Sequence, residues 1–247
     1  MSSSPILIPK QNIGESDEIR IKKYLFTNQS NIAFLLLIFG IIASGGIKLT
    51  YSSIEQIKKS GTRSKADLEI LFNEIGQTFY VSIKSRKGAY PAILNHTPRS
   101  AKVFQNGVLN ENLLFIDMLI TEYIEKRKKG LISEDVLLTE LECFNNTDVK
   151  NSVIKMLVYF IFKGTGSKLS PKECNSIIIG NKDDSLTFFQ CITEEEKVSY
   201  INTIIGKCVI SLRNKGMPKQ TNEQCKPWVY TNEAGKDCGS IHIRVKL

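Results

Sequence analysis

The sequence predicts a mixed α and β fold, α/β in broad class, with helices leading and a strand-rich C-terminal third following. Three observations carry that expectation. Residues 111–129, ENLLFIDMLITEYIEKRKK, set apolar residues at helical spacing and close on a cationic turn before Gly130. Residues 65–85, KADLEILFNEIGQTFYVSIKS, hold two short apolar runs on either side of one glycine, the pattern of a β-hairpin. From Cys174 onward the chain turns to short β-rich runs: NSIIIG, SLTFFQCI, KCVISLR, PWVY and SIHIRVKL.

Taken in order, residues 1–14 read as an extended arm, with serines, prolines and a glycine. Ser16 to Phe26, SDEIRIKKYLF, predicts a helix with Ser16 as N-cap and acids in its first turn. Residues 51–60 suit a short helix ended by Gly61, and residues 86–101 a basic loop with two prolines and a glycine. Residues 133–142 and 148–163 predict further helices, the second apolar enough for the core. Asp183-Asp184 marks a turn between two strands. The expected organisation is an N-terminal helical segment (1–60), a core with the hairpin and helices (61–170), and a β-rich part packed on it (171–247).

A chain of 247 residues with 42% apolar and 23% charged residues can bury a sizeable core, which excludes disordered and collagen-like classes. Lys and Arg number 33 against 25 Asp and Glu, a formal net charge of +8, and this excess favours an anionic partner such as nucleic acid or a membrane surface. The six cysteines form no C-x-x-C pair and only His96 and His242 could join them, which argues against zinc and for reduced, buried thiols. No secretory signal pattern opens the sequence, so a cytoplasmic protein is expected. The apolar run IAFLLLIFGIIA, residues 32–43, is shorter than the about 20 residues a membrane span needs, so a buried helix is expected rather than an anchor.

The hairpin carries the chemistry. With its turn centred on Ile75-Gly76, Leu71 pairs with Tyr80, Glu69 with Ser82, and Asp67 with Lys84. One face then holds Leu68, Ile70, Phe72, Phe79, Val81 and Ile83, and the other gathers Asp67, Glu69, Ser82 and Lys84 at the open end. An acidic pair beside a lysine suits a hard divalent cation that keeps waters and bridges to phosphate oxygens. Lys84 could orient or deprotonate a water, or hold a phosphate. The bland alternative is solvated cross-strand decoration worth a fraction of a kcal/mol.

These residues resemble the PD-(D/E)xK nuclease superfamily and, within it, the HpaII-type type II restriction endonucleases. S-K-A-D-L-E-I at 64–70 is similar to the stretch ending in the catalytic aspartate, Y-V-S-I-K-S at 80–85 to the F-S-I-K-S segment, and A-I-L-N at 92–95 to T-L-L-N. More weakly, N-L-L-F-I-D at 112–117 and S-I-H-I-R-V at 240–245 resemble later blocks, so the likeness runs in order over 60–247. It implies a core sheet flanked by helices, Asp67, Ser82 and Lys84 as catalytic residues, and Mg²⁺ as cofactor. Ser82 stands where the superfamily often has glutamate. Asp67 and the Ile83 carbonyl are then the expected primary ligands, with Glu69, or Glu15 or Glu18 of the first helix, as the second carboxylate.

The same resemblance implies double-stranded DNA as substrate, a twofold dimer on a short palindrome such as CCGG, 5′-phosphate and 3′-hydroxyl ends, and a cognate DNA methyltransferase as genetic neighbour. Ser85, Arg86, Lys87, Asn95, His96 and Arg99 are placed to reach phosphates or base edges, and Lys65 is a phosphate contact by proximity. His242 and Trp228 read as structural. Two alternatives stay open beside this one: a less specific nuclease of repair or defence on the same core, and a non-catalytic DNA-binding protein with a decayed metal site. A membrane-associated protein using residues 32–43 is a third.

Overall fold

The computed structural model describes residues 13–27, 49–51, 65–72, 77–88, 90–95, 103–104, 107–133, 135–164, 169–212, 229–231, 234–235 and 237–246. Among them lie four α-helices and two β-sheets, a mixed α and β architecture. The first sheet is mixed. Its strands are β1 (Leu49–Tyr51), β2 (Leu68–Phe72), β3 (Gln77–Ser85), β6 (Ser176–Gly180) and β7 (Leu186–Gln190), in the order β1-β2-β3-β6-β7. Only β3 and β6 run parallel; the other neighbours are antiparallel. The second sheet is antiparallel throughout, ordered β4 (Ala92–Asn95), β10 (Asp237–Val245), β8 (Cys208–Leu212), β5 (Val136–Leu137), with β9 (Val229–Thr231) also paired to β10.

Helix α1 (Ile13–Thr27) turns Asp17, Ile21, Lys22 and Leu25 inward, the one-face spacing of a helix. It begins ahead of Ser16, which therefore lies within the first turn and does not cap it. The helix lies on the side of β3 and β6 that carries Ser85 and Gly180, because Ser85 pairs with Gly180 and both meet Asp17. A Cβ at Gly180 would collide with Ile21 and stand 3.0 Å from Asp17 Oδ2, so the close approach of α1 requires glycine there. The opposite side of β6, carrying Ile177 and Ile179, joins a large core with Tyr123, Val153, Met156, Phe162, Ile210, Ile241 and Ile243. β6 is thus buried on both faces, as a run of SIIIG requires.

Helices α2 (Leu113–Lys128), α3 (Thr147–Val158) and α4 (Glu194–Ile204) supply the rest of that core. α2 follows a 3₁₀ turn, Asn110–Asn112, and matches the predicted helix; α3 is capped by Asn146, whose side chain accepts from the N–H groups of Asp148 and Val149. The predicted helix over 148–163 ends as α at Val158 and continues as a π-helical turn, Tyr159–Lys163. The helix expected over 133–142 is instead β5 followed by two 3₁₀ turns, because Val136 and Leu137 pair with Ile210 and Val209 of β8. Tertiary pairing there overrides a helix-like apolar spacing. Residues 92–95, expected in a basic loop, form β4 against β10. α4 was not predicted, although Thr193 and Glu196 form a capping box at its start.

The turn at Asp183-Asp184 joins β6 and β7 as expected, with Asp184 at φ 68°. Of the predicted helix over 51–60, Tyr51 closes β1 and the remainder lies outside the described residues, as does the apolar run at 32–43. No helix among the described residues is long and apolar enough to cross a membrane. Among the described side chains Cys143, Cys174, Cys191 and Cys208 are free thiols; the last three are buried and Cys143 is half-buried, and burial pushes each of them up to about 12.

Candidate active site

The hairpin forms, but in a different register from the one predicted. Leu71 faces Thr78, not Tyr80; Glu69 faces Tyr80, not Ser82; and Leu68 faces Val81. A shift of two residues leaves every side chain on its own face, so the apolar pattern could not distinguish the two pairings. The consequence is chemical. Asp67, just before β2, comes opposite Ser82 and not Lys84.

Asp67 N–H donates to the Val81 carbonyl at 2.8 Å, extending the ladder by one rung. Beyond it the side chain replaces the strand. Asp67 Oδ2 accepts from the Ile83 N–H at 2.9 Å and from the Ser82 hydroxyl at 3.3 Å. The Ile83 carbonyl points to the same edge as its N–H, as in any extended residue, and accepts from Lys84 Nζ at 3.2 Å. Ile83 thus contributes main chain to the site while its own side chain is fully buried. Asp67 and Lys84 do not pair across the strands as expected but both bond the main chain of Ile83, Asp67 at its N–H and Lys84 at its carbonyl; Ser82 is buried and donates to Asp67.

Lysines from separate parts of the chain gather near this carboxylate. Lys22 of α1 brings Nζ to 3.5 Å from Asp67 Oδ1. Lys84 Nζ sits on the neighbouring Ile83 carbonyl. Lys65, half-buried with its N–H on Ser170 Oγ at 2.8 Å, lies close enough to feel both Asp67 and Lys84. Burial, and then repulsion from Lys84, lower the Lys65 ammonium to about 8, against opposing pulls from Cys174 and Asp67. Lysines gathered beside a carboxylate can attract an anion while the carboxylate itself attracts a cation.

One of the expected second carboxylates, Glu69, is engaged elsewhere. Glu69 is ion-paired with Lys172, which also lies 5.9 Å over the ring of Tyr80. On α1 Asp17 reaches β3: Asp17 Oδ2 accepts from Ser85 Oγ at 2.6 Å and Oδ1 from Arg20 Nε at 2.7 Å. The Glu15 side chain lies outside the described residues. Among the described residues no group of three or more His, Cys, Asp and Glu could hold a metal ion. The donors that remain, the Asp67 carboxylate and the Ile83 carbonyl, are hard oxygens. So small a set suits Mg²⁺, which retains waters and takes further oxygens from a phosphate.

The expected DNA contacts divide. Ser85 is buried and its hydroxyl is committed to Asp17 and to the Lys87 N–H, so it anchors α1 and does not face outward, a correction to its expected role. Lys87 Nζ pairs with Asp184 at 2.5 Å and stands 3.9 Å from Asp17. Arg86 is half-buried, its N–H on the Gly180 carbonyl at 2.9 Å. Asn95 lies in β4 opposite His242 of β10, and its side chain is outside the described residues, as are His96, Arg99 and Trp228. His242 is buried in the sheet, as expected of a structural residue. Sequence reasoning missed Lys22, Asp17 and Lys172. The first two were visible as the inward face of α1, which also holds Ile21 and Leu25. Comparison with known protein families, with curated proteins and with solved structures finds no match.

Proposed function

We propose that this chain is a Mg²⁺-dependent type II restriction endonuclease of the PD-(D/E)xK kind, hydrolysing phosphodiester bonds of double-stranded DNA at a short palindrome. The observation that supports the reading is the meeting of the Asp67 carboxylate, the Ile83 carbonyl and the Lys84 ammonium at the point where β2 leaves β3. Asp67 and Ile83 would hold the cation, which when bound supplies charge neutralisation at the scissile phosphate and a more acidic water. Lys84 is placed to orient that water or the phosphate, and Lys65, with its lowered ammonium, to add a phosphate contact. The excess of 33 basic over 25 acidic residues favours a polyanion. A CG-rich site such as CCGG, a dimer on the palindrome and a partner methyltransferase follow from the resemblance of the hairpin residues.

The test is a digest of unmethylated plasmid DNA with Mg²⁺ and with chelator, followed by sequencing of the ends. Discrete fragments with 5′-phosphates are expected; a smear would favour a less specific nuclease of repair or defence. One observation favours a second reading, a DNA-binding protein with a decayed metal site. Ser82 occupies the second acidic position, and Glu69 is neutralised by Lys172. DNA binding without cleavage in the unaltered chain, unchanged in Asp67→Asn and Lys84→Ala, would decide for it.

A further inference from the structure

α1 is fastened to the first sheet at two polar points. Asp17 holds Ser85 on β3, and Lys22 meets Asp67 beside Ser82 and Ile83. The two α1 residues are separated by about 7.5 Å of helix axis. On β3 the step from Ser85 to Ile83 covers about 6.6 Å. The spacings agree, so the helix runs antiparallel to the end of β3 and delivers Lys22 to the carboxylate as a consequence of how Asp17 and Ile21 seat it. Arg20, which bonds Asp17 and also reaches Asp184 at 3.0 Å, fixes the outer side of the same turn.

The Lys22 contact differs from those of an anchoring pair. Asp67 Oδ2 is committed to Ile83 and Ser82, so Oδ1 is the oxygen left for a cation, and that is the one Lys22 approaches. At 3.5 Å the approach is longer than a direct hydrogen bond. The carboxylate keeps 29% of its side-chain surface exposed while Lys22 keeps 9%, so solvent still reaches Asp67 with the ammonium in place. Resting on the nuclease reading, we propose that Lys22 is a competitor for the divalent cation at Asp67, an ammonium carried by α1 that lowers the site's cation affinity and moves to the substrate phosphate when displaced. A buried charge that loses its partner needs another, and the negative phosphodiester brought by DNA is the anion at hand. The device would keep a nuclease weakly loaded with metal until DNA arrives.

The test is a titration of Mn²⁺ into the full chain without DNA, following free Mn²⁺ by electron paramagnetic resonance. Lys22→Met, which keeps the chain length and removes the charge, should bind Mn²⁺ roughly 5- to 100-fold more tightly than the unaltered protein. Adding Asp67→Asn to it should abolish the gain. Asp67-dependent Mn²⁺ binding that Lys22→Met leaves unchanged or weakens would overturn the role of Lys22 and leave the nuclease reading standing. Absence of any Asp67-dependent binding in both chains would overturn both. Should Lys22→Met fail to fold, Lys22→Arg decides: its fork grips the carboxylate more firmly, so Mn²⁺ binding no tighter than in the unaltered protein is expected, and tighter binding refutes the competition.

Discussion

The main-chain N–H of Ile83 donates to the Asp67 carboxylate at 2.9 Å, where a strand partner would otherwise have accepted it. The side chain of one residue therefore replaces a rung of the sheet and is held in place by backbone. Asn at position 67 retains an oxygen acceptor for that N–H but loses the charge. On the nuclease reading, we expect Asp67→Asn to lower the urea midpoint, because buried Lys22 loses its carboxylate, and to lose DNA cleavage by at least about 10²-fold. Lys84→Ala should lose a comparable factor. Cleavage within threefold of the parent in both variants would remove these residues from the chemistry.

Asp17 is the polar centre of the α1 attachment, only 3% exposed at its side chain and bonded to Ser85 and Arg20. Replacing it by Ala strands a buried hydroxyl and part of a guanidinium. Asp17→Ala should cost about 2–3 kcal/mol in urea denaturation. Gly180→Ala should cost about 1–3 kcal/mol through overpacking against Ile21 and Asp17. The double variant should fall short of the sum, since both substitutions loosen one contact. Full additivity would show that Asp17 and Gly180 do not share it.

The faces of the hairpin were legible because alternation of Leu68, Ile70, Phe79, Val81 and Ile83 leaves no other burial. Its register was not, because moving one strand by two residues costs nothing in that pattern. Asp67 and Lys84 were readable as residues of one face of the hairpin but not as both bonding Ile83; Lys22 was readable only as an inward residue of a helix. Nothing local in SDEIRIKKYLF says that the helix lies on β3, since that depends on Gly180, far along the chain. α4 shows the reverse case. Its capping box was written in TEEE, but the β-rich run before it, SLTFFQCI, drew the reading toward strands.

Thr193 Oγ accepts from the Glu196 N–H at 3.2 Å while Glu196 Oε2 accepts from the Thr193 N–H at 3.0 Å. Thr193→Ala removes half of this exchange at the start of α4, whose Tyr200, Ile201 and Ile204 are core residues. A loss of about 1 kcal/mol is expected in urea denaturation. A smaller loss in Thr193→Asn or Thr193→Ser than in Thr193→Ala would confirm that the cap is responsible; equal losses in all three would reject it.

Glu122 of α2 fixes the loop before α3 by accepting from the N–H groups of Glu142 at 2.7 Å and Cys143 at 2.8 Å, with Lys126 alongside. Burial pushes its carboxyl up, but the hydrogen bonds from Cys143, Lys126 and Glu142 together outweigh burial and hold it at about 2, against an ordinary 4.5. A carboxyl depressed in the folded chain stabilises it above the unfolded value and ceases to do so as acid protonates it. The contribution, on the order of 2 kcal/mol after allowing for the water that still reaches the group, should therefore be complete above about pH 5. It should fade as the pH falls from 4.5 toward 2. Urea midpoints of the parent and of Glu122→Gln, measured from neutral to acid pH, should differ at neutrality and converge on acidification. A gap that persists or widens at the acid end would mean that the carboxylate is not what holds this loop.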